Sequence, residues 1–263
     1  MARKIVLTSG KGGVGKTTVC ANLGAMLARF GFRVVILDLD IGLNNLDVVM
    51  GLEDKIVFDI IDVINGKCRS KQALVQDDRI PSLYVMTSKN IGEARIVSKE
   101  KIKQIIEDLD ISFDYILIDC PAGVDEGFVR AVYPANEAIV VVTPHISSIR
   151  DADKVLGILA GFDIHKKYIV VNRMRGDMQI EGEMLDEGEI SQMLGGELLG
   201  VVPEDDEISS ILRYGGLVSK SKSARAFMLL CENLHEGTRK IYDCTHRYRG
   251  ARGLIRRSLR KFV

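Results

Sequence analysis

Residues 4–18 read KIVLTSGKGGVGKTT, and this stretch decides the fold of the 263-residue chain. Its apolar, β-branched beginning predicts a buried strand over Lys4–Ser9, and the residues from Lys16 onward predict a helix. Between the two, Gly10 to Thr17 fit the pattern GxxxxGK[ST], whose glycines let backbone N–H groups wrap around phosphates. Because the pattern stands between a strand and a helix, as its function requires, the stretch predicts a phosphate-binding loop.

Each part of this loop has an expected task in binding ATP and Mg²⁺. The free N–H groups and the dipole at the start of the helix favour a phosphate. Lys16 is expected to reach the β- and γ-phosphates, and the hydroxyl of Thr17 is expected to bind Mg²⁺. The predicted contacts with the nucleotide span the whole loop: Gly10, Lys11, Gly12, Gly13, Val14, Gly15, Lys16, Thr17 and Thr18.

Short apolar runs alternate with helical stretches along the rest of the chain. The further predicted strands are Arg33–Asp38, Ser82–Thr87, Tyr115–Asp119, Ala138–Thr143, Tyr168–Asn172 and Leu198–Val202. The predicted helices are Lys16–Phe30, Lys99–Leu109, Gly127–Tyr133, Ile149–Gly161, Glu207–Tyr214 and Ala224–Ile241. This alternation indicates an α/β fold with a doubly wound, mostly parallel sheet that is covered on both faces. Gly176–Gly188 is expected to be an irregular surface loop.

Acidic side chains stand at the ends of two predicted strands. Asp38 and Asp40 close the second strand, and Asp119 closes the strand in ILIDCPAG, residues 116–123. Ligands of parallel sheets bind at this carboxyl edge. We expect Asp40 to orient the water that attacks the γ-phosphate. Asp38 and Asp119 are expected to hold Mg²⁺ together with the loop hydroxyl, and Gly123 is expected to offer its N–H to the γ-phosphate.

The loop sequence KGGVGKTT, residues 11–18, resembles the deviant Walker A ATPases, the MinD/ParA family of SIMIBI-type P-loop proteins. The resemblance implies that Lys11 reaches across a dimer interface to the partner's nucleotide, so the implied catalytic set is Lys11, Lys16 and Asp40. It also implies that adenine is contacted by the end of VVNR and by the segment PED, through Asn172, Arg173, Pro203 and Asp205. ATP is favoured over GTP, because GTPases carry an acid where this chain has Arg175.

Within the family, the chain resembles the branch that places the cell-division site. The likeness is carried by residues 1–18, 40–53, 113–123, 147–159, 170–173 and 200–207. It implies an ATP-dependent homodimer that recruits a MinC-like division inhibitor and, in some lineages, responds to a MinE-like activator. Ile149–Leu156, which is expected to lie on the dimer-interface surface, is the candidate partner site. Asn44 and His145 depart from the arginine and glutamate common in this branch, which leaves the details of partner binding open.

The chain from residue 247 onward differs in charge from the rest. Residues 247–263 hold seven cations and no acid, so in this neutral chain residues 1–246 carry a net charge of −7. On a helical wheel the apolar side chains of the tail cover roughly 140°, opposite most of the cations. Such a pattern is typical of an amphipathic helix in a membrane interface. We therefore predict an ATPase domain over residues 1–246 and a membrane-targeting tail over residues 247–263, with contacts through Leu254, Ile255, Arg256, Arg257, Leu259, Arg260 and Phe262.

Composition limits the remaining functional classes. The balanced charge gives no reason to expect nucleic-acid binding. The five cysteines form no CxxC pair, which indicates a reducing cytoplasm, and no apolar run is long enough to span a membrane. We expect a cytoplasmic protein on the inner face of the cell membrane. The alternatives are a ParA-like partitioning ATPase, an FlhG-like regulator of flagellar number and an iron–sulfur reductase, for which Cys120 lacks a matching second cysteine.

Overall fold

Eight strands form a single sheet in the structure, a computed structural model that describes residues 1–41, 45–88, 97–205, 208, 221–251 and 253–254. The strands are β1 (Arg3–Thr8), β2 (Val34–Asp38), β3 (Val75–Asp77), β4 (Ile80–Met86), β5 (Tyr115–Asp119), β6 (Glu137–Val142), β7 (Lys166–Met174) and β8 (Glu197–Pro203). Their order is β3-β4-β2-β5-β1-β6-β7-β8. All neighbours are parallel except β3 and β4, which are antiparallel.

Helices cover both faces of this sheet. They are α1 (Lys16–Arg29), α2 (Leu46–Met50), α3 (Ile60–Ile64), α4 (Lys99–Asp110), α5 (Glu126–Val132), α6 (Ile146–Leu159), α7 (Gly176–Glu181), α8 (Glu187–Leu194) and α9 (Lys222–Glu236). One hydrophobic core lies under α3, α4, α5, α6 and α8, and a second lies under α1, α2 and α9. The central strands β2 and β5 are therefore buried along their whole length, which explains their unbroken apolar sequences.

Strand register sets the position of the polar residues at the carboxyl edge. In the centre of the sheet, Asp119 of β5 is paired with Asp38 of β2 on one side and with Leu7 of β1 on the other. Three residues beyond Leu7, the chain enters the glycine-rich loop. The loop and the two carboxylates thus meet at one edge because all three strands run in the same direction.

The predicted α/β class and mostly parallel sheet are confirmed, and each predicted strand is present with small shifts of its ends. The prediction of an irregular loop over Gly176–Gly188 is wrong, because α7 and the start of α8 lie there. The last predicted helix, Ala224–Ile241, instead ends at Glu236, since Gly237 adopts a left-handed φ of 71°. Strand β3 and the short helices α2 and α3 were not predicted.

Some predictions fall on residues that the structure does not describe. The helix predicted over Glu207–Tyr214 lies outside the described residues apart from Ile208. The predicted tail helix is described only as far as Leu254, whose side chain is exposed. Among the described residues, no helix combines the length and the apolar character that crossing a membrane demands.

The chain that follows α9 crosses the edge of the sheet and packs against α7. Ile241 and Cys244 contact the first core, and a Cβ added to Gly176 would lie 1.9 Å from the carbonyl oxygen of Cys244. The backbones are therefore in direct contact, and only glycine fits at position 176.

We predict that Gly176→Ala lowers the free energy of unfolding by about 1–3 kcal/mol, as overpacking of an interior does. The matched control is Gly157→Ala in α6, where an added Cβ would meet nothing within 4 Å. This control should be neutral or gain up to about 1 kcal/mol, because alanine favours a helix. Urea unfolding measures both, and equal midpoints for the two variants would contradict the contact.

Candidate functional site

The glycine-rich loop has the shape of an anion cradle. Gly13 and Gly15 adopt left-handed φ angles of 78° and 91°, and Gly12 and Gly13 are exposed. Gly15 caps α1, and the first turn of that helix has neither a side-chain cap nor an acidic residue. Its N–H groups therefore lack side-chain acceptors, and the positive end of the helix dipole is free of negative charge. The arrangement suits a phosphate group.

A buried ion pair lies directly behind this loop. Nζ of Lys16 is 2.7 Å from Oδ1 of Asp119, and their side chains are only 7% and 1% exposed. Burial works to lower the pKa of Lys16, but the charge and hydrogen bond of Asp119 outweigh it and raise the pKa. Oδ2 of Asp119 is buried without a hydrogen-bond partner among the described residues. The carboxylate therefore keeps one oxygen available for a further ligand.

Asp38 faces the same pair from β2. Its Oδ1 accepts a hydrogen bond from the backbone N–H of Asp40, and its Oδ2 accepts one from the N–H of Leu46. Burial and the charge of Asp119 nevertheless raise the pKa of Asp38 to about 7. Since both oxygens of Asp38 already have backbone partners, Asp119 is the better placed of the two predicted metal ligands.

Asp40 lies at the rim of this cluster. Burial raises the pKa of its carboxyl, while the charge of Lys16 works in the opposite direction. Gly123, in the loop after β5, has a φ of 94°, and its N–H points to the carbonyl of Ser9 at 3.5 Å. The structure thus brings a half-buried carboxylate and a flexible backbone donor to the mouth of the cradle.

Mg²⁺ fits the oxygen atoms present here. The ion prefers hard oxygen ligands and keeps several waters, so it needs only one or two protein groups beside the phosphates. The unpartnered Oδ2 of Asp119 supplies one such oxygen, and Thr17 stands on the first turn of α1. In the part of the chain that the structure describes, no cluster of three or more His, Cys, Asp or Glu residues forms a separate metal site.

Asn172 connects the end of β7 to the phosphate loop. Its Nδ2 donates a hydrogen bond of 2.8 Å to the carbonyl of Val14, and a Cβ added to Gly15 would lie 2.3 Å from the same nitrogen. The register of β7 against β8 breaks between Val171 and Met174, and Arg173 has a left-handed φ of 59°. This bulge redirects the strand end toward the loop.

The second predicted base-binding segment follows β8. Pro203 is paired with Met174 across the strands. Asp205 is buried, and its Oδ2 accepts hydrogen bonds from the N–H and the hydroxyl of Ser223, at the start of α9. Asp205 thus has a clear structural task in holding that helix end. Its contact with adenine stays a prediction, as do those of Asn172, Arg173 and Pro203.

The loop is also tied to α6, which the sequence did not indicate. A Cβ on Gly10 would lie 2.4 Å from the backbone carbon of Asp151, so the two backbones touch. Nζ of Lys11 donates a hydrogen bond of 3.0 Å to the hydroxyl of Ser147. Ser147 belongs to the site although no spacing in the sequence relates it to the loop, since the contact joins residues 136 positions apart. Asn44 and most of the predicted membrane contacts, Ile255, Arg256, Arg257, Leu259, Arg260 and Phe262, lie outside the described residues.

Comparison with known proteins gives this arrangement its context. Residues 5–218 match the family model of the CobQ/CobB/MinD/ParA nucleotide binding domain. The septum site-determining protein MinD of Bacillus subtilis is 46% identical over 228 residues, which cover 86% of this chain and 85% of the relative. The chain belongs to the MinD family. It shares a nucleotide-binding ATPase domain with that family, and the family predicted from the sequence is confirmed.

Two solved structures of the MinD family share the fold over most of their length. A MinD from Pyrococcus horikoshii complexed with Mg-ADP is 31% identical, with a TM-score of 0.80 over 90% of this chain and 97% of that one. The MinC:MinD complex of Aquifex aeolicus contains a chain that is 39% identical, with a TM-score of 0.84 over 91% and 98%. The predicted septum site-determining function, the ATPase activity and the Mg²⁺-bound adenine nucleotide are thereby confirmed for the family to which this chain belongs.

The raised pKa of Asp38 predicts how the nucleotide-free protein responds to pH. Between the unfolded pKa of 3.8 and the folded pKa of about 7, the folded state holds the extra proton. The free energy of unfolding therefore falls as pH rises through this window. In Asp38→Asn this pH-dependent decrease in the free energy of unfolding disappears. The urea midpoint should therefore fall less between pH 5 and pH 8 than in the wild type. Asp62→Asn is the control, because the pKa of Asp62 is lowered and the window is unaffected. An Asp38→Asn variant as pH-dependent as the wild type would contradict the assignment.

Proposed function

We propose that this chain works as an ATP-dependent dimer that carries a division regulator to an anionic membrane surface. The observation that supports it most is the buried Lys16–Asp119 pair behind an uncapped helix start, which offers a cation to phosphates and a spare carboxylate oxygen to a metal. In this proposal, the site residues predicted from the sequence bind the nucleotide, hold the metal and position the attacking water.

Binding begins with the loop and the first turn of α1. The backbone N–H groups of residues 10–18 donate hydrogen bonds to the phosphates. Lys16 then interacts with the oxygens of the β- and γ-phosphates, which weakens its interaction with Asp119. Thr17 and Asp119 would hold Mg²⁺, with Asp38 supporting them. When bound, the metal would neutralise part of the negative charge on the β- and γ-phosphates. The proposed base contacts, Asn172 and Arg173 on one side and Pro203 and Asp205 on the other, enclose adenine.

Asp40 is the proposed positioning group for the attacking water. Its carboxylate is half-buried and its pKa is raised, so it is a better proton acceptor than an ordinary aspartate. Gly123 provides a backbone donor that the γ-phosphate can recruit and release. Loss of that phosphate lets the loop after β5 relax, which is how a switch segment reports hydrolysis.

Dimerisation is proposed to use the same face. Lys11 is partly exposed, and its ammonium group donates a hydrogen bond to the neutral hydroxyl of Ser147, with no carboxylate partner among the described residues. Beside it, Val124 and Ile146 are 48% and 47% exposed although both are apolar. A second copy placed over this face would bury them and bring its nucleotide to Lys11.

The proposed partners follow from a complex that a relative forms. The Aquifex aeolicus MinD is found in a complex with MinC, and we propose a MinC-like inhibitor for this chain, with a MinE-like activator as a further partner. Ile149–Leu156 of α6 is the proposed surface, since this helix touches the phosphate loop through Asp151. No nucleic-acid partner is proposed.

We predict that Asp40→Ala keeps ATP binding and dimerisation but hydrolyses ATP about 10²-fold more slowly or worse, because a positioned base contributes at least that much. The control is Asp163→Ala, a 94% exposed acid before β7, which should hydrolyse normally. Phosphate release measures the rate, and gel filtration with ATP measures the dimer. A monomeric Asp40→Ala protein would assign Asp40 to binding or folding.

Lys11→Ala is expected to lose the ATP-dependent dimer while its own ATP affinity changes little, because the phosphate that Lys11 serves belongs to the other subunit. Lys166→Ala, which removes an exposed lysine at the start of β7, the opposite edge of the sheet from the loop, should dimerise like the wild type. Light scattering with and without ATP reports the state. An unchanged dimer in Lys11→Ala would show that this lysine has no role between subunits.

Membrane binding is proposed to depend on the number of tails. A short helix has a nucleation cost that its few hydrogen bonds barely offset in water. Burial of an apolar side chain contributes up to about 1.5–3 kcal/mol when complete, and each cation near anionic lipid adds about 1 kcal/mol. One tail therefore binds weakly. Two tails on one dimer gain roughly 10²–10⁴-fold from avidity.

Deletion of Leu254–Val263 should leave ATP binding and dimerisation intact and abolish sedimentation with anionic liposomes. Phe262→Glu should do the same, and Phe262→Leu should still sediment because its apolar face is kept. Fusion of residues 247–263 to an unrelated constitutive dimer should confer binding without ATP. If that fusion stays in the supernatant while the native protein sediments, another surface binds the lipid.

A further inference from the structure

A cavity of about 440 Å³ lies at the edge of the sheet, apart from the phosphate loop. We call it the edge pocket. It is bounded by the carboxyl ends of β7 and β8, the start of α9 and the chain that follows α9. Its apolar walls include Met174, Leu229 and Ile241. The volume falls within the range of small-molecule sites, about 300–1,000 Å³.

The edge pocket has an excess of positive charge. Lys222, Arg225 and Arg247 line it, and none of the three has an ion-pair partner among the residues described. The lining acids are Glu204 and Asp243. Asp243 is already engaged, because its Oδ1 accepts hydrogen bonds of 2.8 Å and 2.6 Å from the N–H and hydroxyl of Thr245. Three unpaired lining cations thus face two lining carboxylates, and one of these, Asp243, also pairs with Arg249 outside the pocket at 3.4 Å, so the lining keeps a net positive charge.

The walls of this pocket are fixed by contacts within the described chain. The carbonyl of Cys244 rests directly on Gly176, and Asp205 holds the start of α9 through Ser223. A fourth lining cation, Arg175, is held by Asp177 at 2.7 Å. The cations are thus presented on a formed surface, at the point where the chain enters the basic tail at Arg247.

Charge identifies the kind of occupant. The tail carries seven cations and no acid, so it does not complement a basic pocket. We propose that the edge pocket binds a phosphate-bearing anion, either the headgroup of an acidic phospholipid or a soluble phosphate ester. Lys222 and Arg225 on α9 and Arg247 at the root of the tail are its ligands. Only the lipid source rests on the proposed membrane association.

The first experiment uses the full chain saturated with Mg-ADP, so that the phosphate loop is filled. Calorimetric titration with sn-glycerol 3-phosphate should show binding by the wild type and at least tenfold weaker binding by Lys222→Glu and Arg225→Glu. Arg239→Glu, the same charge reversal on an exposed residue outside the pocket, should bind like the wild type. Glutamate in the first turn of α9 suits the helix dipole, so Lys222→Glu should fold normally, and its melting temperature checks this.

The second experiment identifies the source of the phosphate. With ATP, the same variants are sedimented with vesicles of 30% phosphatidylglycerol in phosphatidylcholine. For a lipid headgroup, Lys222→Glu should sediment at least threefold less than Arg239→Glu at equal ATPase activity. For a soluble ester, the two variants should sediment equally although Lys222→Glu no longer binds glycerol 3-phosphate.

The outcomes that overturn the proposal are separate from those that overturn the membrane function. Absence of glycerol 3-phosphate binding by the Mg-ADP protein, or equal binding by the wild type and Lys222→Glu, removes the edge pocket as an anion site. Binding seen only without nucleotide, and lost in Lys16→Ala, assigns the probe to the phosphate loop and also overturns it. A wild type that fails to sediment with ATP contradicts the membrane proposal alone, since the calorimetry needs no lipid.

Discussion

Two carboxylates in a buried region share one lysine, and the centre of the molecule is organised around this constraint. Asp38 and Asp119 are paired across β2 and β5, where both strands are fully buried. Two like charges at such a place are unfavourable unless a cation or a proton compensates them. Lys16 compensates Asp119 directly, and the raised pKa of Asp38 shows that its own charge is poorly compensated. The nucleotide-free site is therefore held together by its lysine.

This constraint explains why the site is ready for a metal nucleotide. A divalent cation near Asp119 would relieve the same repulsion that Lys16 now relieves, which frees the lysine for phosphate. Lysine and metal would then be alternative counter-charges for the carboxylate pair. Strand register places the two carboxylates side by side at the end of β2 and β5.

The sequence predicted the parts of the molecule in which local pattern and tertiary environment agree. The buried strands have long apolar runs, and the loop 10–18 has a spacing that few other structures share. Strand β3 has only three residues and a polar centre, so no periodicity marks it. Helices α2 and α3 have five residues each, too few for a helical repeat. The prediction of an irregular loop over Gly176–Gly188 missed the capping box of Asp186, which starts α8.

Contacts between distant segments could not be predicted at all. The pairing of Lys11 with Ser147 and the bond from Asn172 to Val14 join loops that only the completed sheet brings together. The hydrogen bond between Asp205 and Ser223 could not be predicted for the same reason. Asp38, Asp119 and Asn172 nevertheless lie at one edge of the sheet, because the carboxyl ends of parallel strands meet there.

The close approach of Gly10 to Asp151 has a mechanical consequence. A Cβ at position 10 would lie 2.4 Å from both the backbone carbon and the Cβ of Asp151, so only glycine lets the loop pack this closely against α6. A shift of the second turn of α6 toward the loop would bring backbone against backbone, and no change of side-chain rotamer could relieve that overlap. Such a shift would therefore be passed directly to the first residue of the phosphate loop.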